Sequence, residues 1–259
     1  MTTAEGWTAS VRNRLAPGRL LPLGAPENGA WITERAVRTA LTGAAVAVRG
    51  VVPGELRIGP ATEASAESGA EPDAEPDAEP GMGAGGDTGG EPGAGAGAEP
   101  ASASFPVPPG GLPPGALRIS AGFGAVAGPA LPELAAELRT ALLTAAEDGL
   151  GLVVAAVDLR VTELLDAAPE NSGPAAPPPG RTSPATDDPA ALAALRVDGV
   201  AGMTDMLGPP VHRASGRVRV ELAVTAGHRP LDVAHAVRNA VTAAAGEATA
   251  VTVLVSELR

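Results

Sequence analysis

Two distant stretches of this chain carry the same pattern, and that coincidence limits the fold more than any other feature. Leu134, Leu138, Ala141, Leu142 and Ala145 fall at i, i+4, i+7, i+8 and i+11, and Val233, Val237, Ala240, Val241 and Ala244 repeat the spacing. Each set is one apolar stripe of a helix. Arg139 occupies in the first the position that Arg238 occupies in the second. After each helix comes a matching strand, VDLRVTEL at 157–164 and VTVLVSEL at 251–258, with Thr162-Glu163-Leu164 in register with Ser256-Glu257-Leu258. Before the second helix, Val218, Val220, Leu222 and Val224 alternate with Arg217, Arg219 and Glu221, a period of two that specifies a half-buried strand.

The match extends upstream. A helix over 28–48, with Ile32, Ala36, Ala40, Leu41 and Ala44 on one side and an exposed Glu34–Arg38 pair, leads through Gly50 into a strand at 51–58. Its counterpart is a shorter helix capped by Asp188, with Pro189 in its first turn, leading into Gly199-Val200-Ala201-Gly202-Met203. Each copy reads helix, strand, strand, helix, strand, a repeat long enough to set the architecture. The fold class that follows is α+β: two copies of one module, each a three-stranded sheet with helices on one face, packed together about a pseudo-two-fold because each alone has a thin core. The divisions are an N-terminal short helix and arm at 1–26, a first module at 27–166, a linker at 167–187 rich in Pro, Ala and Ser, and a second module at 188–259.

The first module is interrupted. Residues 60–114 repeat Ala-Glu-Pro-Asp and then run through Gly-rich and Pro-rich sequence with little to bury, so they are expected to be disordered. By the logarithmic closure relation such an insertion in a surface loop costs only about 2 kcal/mol. Replacing 60–114 with a short turn should therefore leave the fold intact.

Charge separates along the same line. The net charge is −12, but ten of the 30 acids lie between 60 and 114 with no base among them, leaving 20 acids against 18 arginines elsewhere. The remainder is nearly neutral, lacks the basic field that nucleic-acid binding needs, and predicts no nucleic-acid partner. All 18 basic residues are arginine, which together with the Ala, Gly and Pro bias suggests a GC-rich genome. The chain has no cysteine, so disulfides, thiolate metal sites and thiol catalysis are excluded. No apolar run is long enough to span a bilayer, and the expected location is cytoplasmic. At the N-terminus Trp7, Val11 and Leu15 form a stripe beside Arg12 and Arg14 that suits docking on the domain, the alternative being a basic helix on a membrane surface.

Reactive groups are sparse. Gly122-Phe123-Gly124-Ala125-Val126-Ala127 fits G-x-G-x-x-A between a strand and a helix, the context of a dinucleotide fingerprint, but Pro129 and Pro132 delay the helix whose N-terminus would hold the pyrophosphate. His228, His235 and Asp232 make a partial metal set without a clear further ligand, and His212 is the remaining histidine. Glu133 and Glu137 lie one turn apart on an exposed helix face, where they are expected to be solvated and acid–base work would need burial. No catalytic residue, metal or cofactor is assigned. Arg139 and Arg238, equivalent and just off the buried stripe, are the candidates for interface contacts.

The helix, the GVAGM strand at 199–203, VRVELAV at 218–224, V-x-x-A-V-R-x-A-V at 233–241 and VTVLVSEL at 251–258 together resemble the alkaline-shock-protein family of Gram-positive cell-envelope stress proteins. A weaker second match covers 31–58 and 115–165, and relatives of this shape are also similar to bacterial proteins titled nucleopolyhedrovirus P-ten family, although no sustained heptads occur here. The resemblance implies a non-enzymatic, cytoplasmic, self-associating protein held near the membrane by a separate anchored partner and linked to envelope homeostasis, with no catalytic residues to carry over. This chain departs from the family in its duplication, its acidic insertion and its lack of lysine. The expected function is a scaffold or interaction protein acting as a homo-oligomer or on an envelope partner. The alternative is a small-molecule or nucleotide-binding domain using the 122–132 turn.

Overall fold

The computed structural model describes residues 18–61, 105–167, 186–214, 216–245 and 250–259. The N-terminal helix expected around Trp7, residues 62–104 and most of the linker lie outside them. The described chain is mixed α+β, with four α-helices and two sheets of six and three strands.

In chain order the elements are β1 (Leu20–Pro22), β2 (Ala30–Thr33), α1 (Glu34–Val46), β3 (Val51–Pro60), β4 (Leu117–Val126), α2 (Leu131–Thr144), β5 (Val154–Leu165), α3 (Pro189–Leu195), β6 (Val200–Met203), β7 (Val211–Ala214), β8 (Arg217–Val224), α4 (Pro230–Ala245) and β9 (Ala250–Leu258). A wider π turn, Ala145–Leu150, continues α2 and ends at Gly151 in the left-handed region (φ 88°). A Cβ there would lie 2.4 Å from that of Leu231, so glycine is required where the two halves meet.

The smaller sheet is ordered β3-β4-β5, the first pair antiparallel and the second parallel. The larger contains the same sequence of pairings, β6 antiparallel to β8 and β8 parallel to β9. Both parallel pairs also break register at a corresponding place, where Phe123 faces Val161 and Gly124 faces Glu163, and Leu222 faces Val255 and Ala223 faces Glu257; β4–β5 breaks once more, between Leu117 and Arg118. The residues skipped at the corresponding place are Thr162 and Ser256.

The larger sheet differs from the three strands expected. It is extended past β9 by β2, parallel, and then by β1, antiparallel, with Ala30, Trp31 and Ile32 opposite Val253, Leu254 and Val255. The helix expected from 28 thus begins only at Glu34. Trp31, Ile32 and Thr33 suit a strand better than a first helical turn, and Thr33 ends the strand by accepting the Ala36 N–H as N-cap. Glu34 pairs with Arg19 (3.4 Å). On the opposite edge the stretch after Gly208 forms β7, which lies beside β8 with Val211 opposite Val220, so it is ladder and not merely a connecting loop.

One apolar core joins everything. It takes in Ile32, Val218, Val220, Leu222, Val251, Val253 and Val255 of the larger sheet, Ile58, Ile119, Phe123 and Val157 of the smaller, and the stripes of all four helices: Val37 and Leu41, Leu134 and Leu138, Ala190 and Ala194, Val237 and Val241. Valine, leucine and alanine make up most of it, as the scarcity of rings demands.

The far face of the larger sheet has its own small cluster, Leu20, Trp31 and Leu254 with Phe105 and Leu207 packed against it. This corrects the expected extent of the insertion. Residues 105–114 are part of the body: Leu20 donates to Gly110 O (3.0 Å) and Leu112 donates to Leu20 O (2.8 Å), closing the edge of β1. Phe105 and Leu112 supply the apolar surface that the Gly and Pro content conceals. Replacing 62–104 with a short Gly/Ser linker is expected to shift the melting temperature by no more than about 2 °C. Extending the excision to 114 should cost roughly 2–4 kcal/mol through the lost Phe105 and Leu112 burial and the edge hydrogen bonds. Equal melting curves for the two variants would contradict this packing.

Candidate functional site

Two places in the molecule hold polar groups in a defined arrangement, the covered face of the larger sheet and the open side of the smaller one. On the first, the alternation of β8 that turns Val220 and Leu222 to the helices turns Glu221 the other way, into a row with Leu254 and Trp31. Read from sequence, Glu221 is a solvent-facing position; in the fold it is fully buried. The chain after β6 folds over it. Thr204 Oγ1 (2.9 Å) and the Met206 N–H (2.8 Å) donate to one carboxylate oxygen and the Leu207 N–H (3.0 Å) to the other. Ser256 Oγ lies 2.5 Å from Thr204 Oγ1 and donates to Leu222 O (3.2 Å), and Thr33 Oγ1 donates to Ser256 O (2.7 Å).

Burial pushes the Glu221 carboxyl above the usual carboxylate range, against the pull of the Leu207 and Met206 amides, the Thr204 hydroxyl and the Arg219 charge. A raised carboxyl can signal an acid–base catalyst. Here both oxygens face hydrogen-bond donors from a loop that covers them, so the chemistry served is anchoring of residues 204–207 on the sheet.

The open side lies across β3, β4 and β5. Arg57, Ser120 and Asp158 form one cross-strand row, and Gly122 with Arg160 the next. Small residues in the middle strand leave an open groove of about 540 Å³, walled by Glu55 and Arg57 on one side and by Asp158, Arg160 and Thr162 on the other. Arg57 pairs with Glu55 (2.8 Å) and Arg118 with Asp158 (2.6 Å). The hydrogen bond from Arg57 holds the Glu55 carboxyl below its ordinary range. No imidazole lines the groove: His212 is in β7, His228 precedes α4 and His235 is in α4.

The two equivalent arginines do related work. Arg238 Nη1 donates to the carbonyls of Glu27 (2.6 Å) and Asn28 (3.1 Å), in the turn that delivers β2 to the outer edge of β9, and its guanidinium lies 4.5 Å from the centroid of the Phe105 ring. Arg139 Nε donates to Val157 O (3.4 Å) on β5, at a strand that carries no neighbour beyond it in the sheet. They sit in different parts of the molecule and do not form one site.

The other candidates are not assembled. Gly122 and Gly124 lie inside β4, whose pairing continues to Val126, so the G-x-G-x-x-A stretch is strand and does not cradle a helix N-terminus. Glu133 and Glu137 are exposed on α2. Asp232 is taken by Arg229 (3.4 Å), and among the described residues no three His, Cys, Asp or Glu side chains gather at metal-binding distance. Among the same residues no helix is long and apolar enough to cross a membrane. Comparison with protein-family models, with curated proteins and with solved structures finds no match for this chain.

Proposed function

We propose that this chain is a non-enzymatic scaffold or interaction protein built from two versions of one module, which acts in cell-envelope homeostasis or stress by self-association or by binding an envelope partner. Supporting the duplication are the common order of pairings in the two sheets and the register break at the same place in each. The observation that carries the functional reading is where the polar groups are used. Glu221, Thr204 and Ser256 fasten a loop, Arg238 fastens a strand, and Arg57 and Arg118 pair with neighbouring acids, while a long strand edge with Arg139 beside it stays open. Surface is on offer here, and assembled reactive groups are not.

The test joins two measurements on the full chain. Light scattering across micromolar concentrations is expected to show a mass that rises above the monomer, and fractionation of cells to show part of the protein with the membranes. A strict monomer found only in the soluble fraction would end this reading.

A further inference from the structure

We propose that the outer edge of β5 pairs with the same edge of a second copy, antiparallel about Leu159. The proposal rests on the self-association reading above and names its surface and register.

Among the described residues the other sheet edges are covered, guarded or short: β6 and β7, which end the larger sheet beyond β8, have four residues each. The edge of β1 carries residues 110–112. β3 is guarded by Pro53, Pro60, a register break between Pro53 and Leu56, and a hydrogen bond from Arg19 to Ile58 O. The outer edge of β9 carries β2 over Val253, Leu254 and Val255. The residues that hold those positions in β5 are Leu159, Arg160 and Val161, and the ladder ends there. β5 is the longest strand, 12 residues, with no proline or lysine. Val161 is 39% and Leu164 72% exposed, and Val153 just before the strand is 46% exposed.

The side chain that secures the added strand on β9 has its counterpart here. Arg238 takes two carbonyls of the chain entering β2, and Arg139 reaches only Val157 O of its own β5. The chain's own linker is a poor occupant: 168–185 contains six prolines, which cannot donate to a ladder, and almost no apolar side chain.

A second copy fits by its charges. Antiparallel pairing centred on Leu159 sets Asp158 of each copy opposite Arg160 of the other. It also sets Val157 opposite Val161 twice and Val154 opposite Leu164 twice. Each Val and Leu from 154 to 164 meets an apolar residue, the two alanines face Thr162 and Glu163, and both ion pairs repeat across the two-fold, the self-complementarity that a closed dimer needs. Arg160 makes no ion pair within the chain among the described residues, and Asp158 uses one oxygen for Arg118.

The experiment is sedimentation equilibrium on the wild-type chain, Asp158→Arg, Arg160→Asp and the double swap, with circular dichroism confirming that each is folded. The wild type should dimerise. Either single change sets like charges opposite each other twice and should weaken dimerisation by about tenfold or more, and the double swap should restore it. Equal association in all four proteins would overturn pairing through β5 and leave the scaffold reading standing. A wild-type monomer that still sediments with membranes would also overturn it, in favour of an envelope partner. A monomer found only in the soluble fraction would overturn both.

Discussion

Glu221→Ala is expected to destabilise the chain by about 3–5 kcal/mol, because it removes a fully buried carboxylate and leaves three donors facing a void. The Met206 and Leu207 N–H groups lose their acceptor and the Thr204 hydroxyl keeps only Ser256 Oγ beside it, so the whole 204–210 connection should loosen, and with it β7 beyond. In a domain of this size the loss corresponds to a fall in melting temperature of roughly 10 °C. Glu221→Gln should fall between: its oxygen can still accept from Thr204 and Met206, but its amide nitrogen faces the Leu207 N–H, donor against donor. The pH dependence separates charge from shape. A carboxyl raised in the folded state contributes most below its unfolded pKa and loses that contribution as the pH rises through the folded value. The stability gap between wild type and Glu221→Gln should therefore be wider near pH 4.5 than near pH 7.5 in urea titrations. A gap that stays constant, or widens with rising pH, would mean that burial does not govern this carboxyl.

The second large effect lies in the same layer. Trp31 is 1% exposed and packs with Leu20 and Leu254, with Phe105 and Leu207 alongside. Trp31→Ala should cost about 3–5 kcal/mol, since covering loops cannot collapse fully into so large a space. The indole Nε1 has no hydrogen-bond partner despite its burial. Trp31→Phe removes that unpaired donor along with some volume, so it should cost less than about 1.5 kcal/mol. Chemical denaturation of the three proteins decides it, and a phenylalanine variant as unstable as the alanine one would show that the indole is bonded in solution.

What could be read from the sequence was whatever repeats with a period. The stripes of α2 and α4, the alternation of β8 and β9 and the Asp188 cap of α3 are all found in the structure, with ends displaced by a few residues. Three- and four-residue strands have no period to read. β1 falls inside the expected arm, β2 inside the expected helix and β7 in the connection after Gly208, and each becomes a strand only because another strand lies beside it. Residues 105–112 were hidden by composition, since glycine and proline can follow a sheet edge as well as leave it. Glu221 was missed for a similar reason: a charged residue at an alternate position looks solvent-facing unless one knows that a loop will fold over it. The cue is that Thr204, just after β6, and Ser256, on β9, are polar residues at otherwise apolar stretches, but nothing local says that they meet.

The parallel pairing of β2 with β9 has a consequence for how the protein is made. Residues 30–33 leave the ribosome early, and the strand they lie against is encoded more than two hundred positions later. Until it arrives Trp31 and Ile32 have only the three-residue β1 beside them, and the nascent chain must hold two adhesive residues out of trouble until β9 emerges. An acidic, proline-broken tract emerging in that interval would keep neighbouring nascent chains apart while β2 waits for β9.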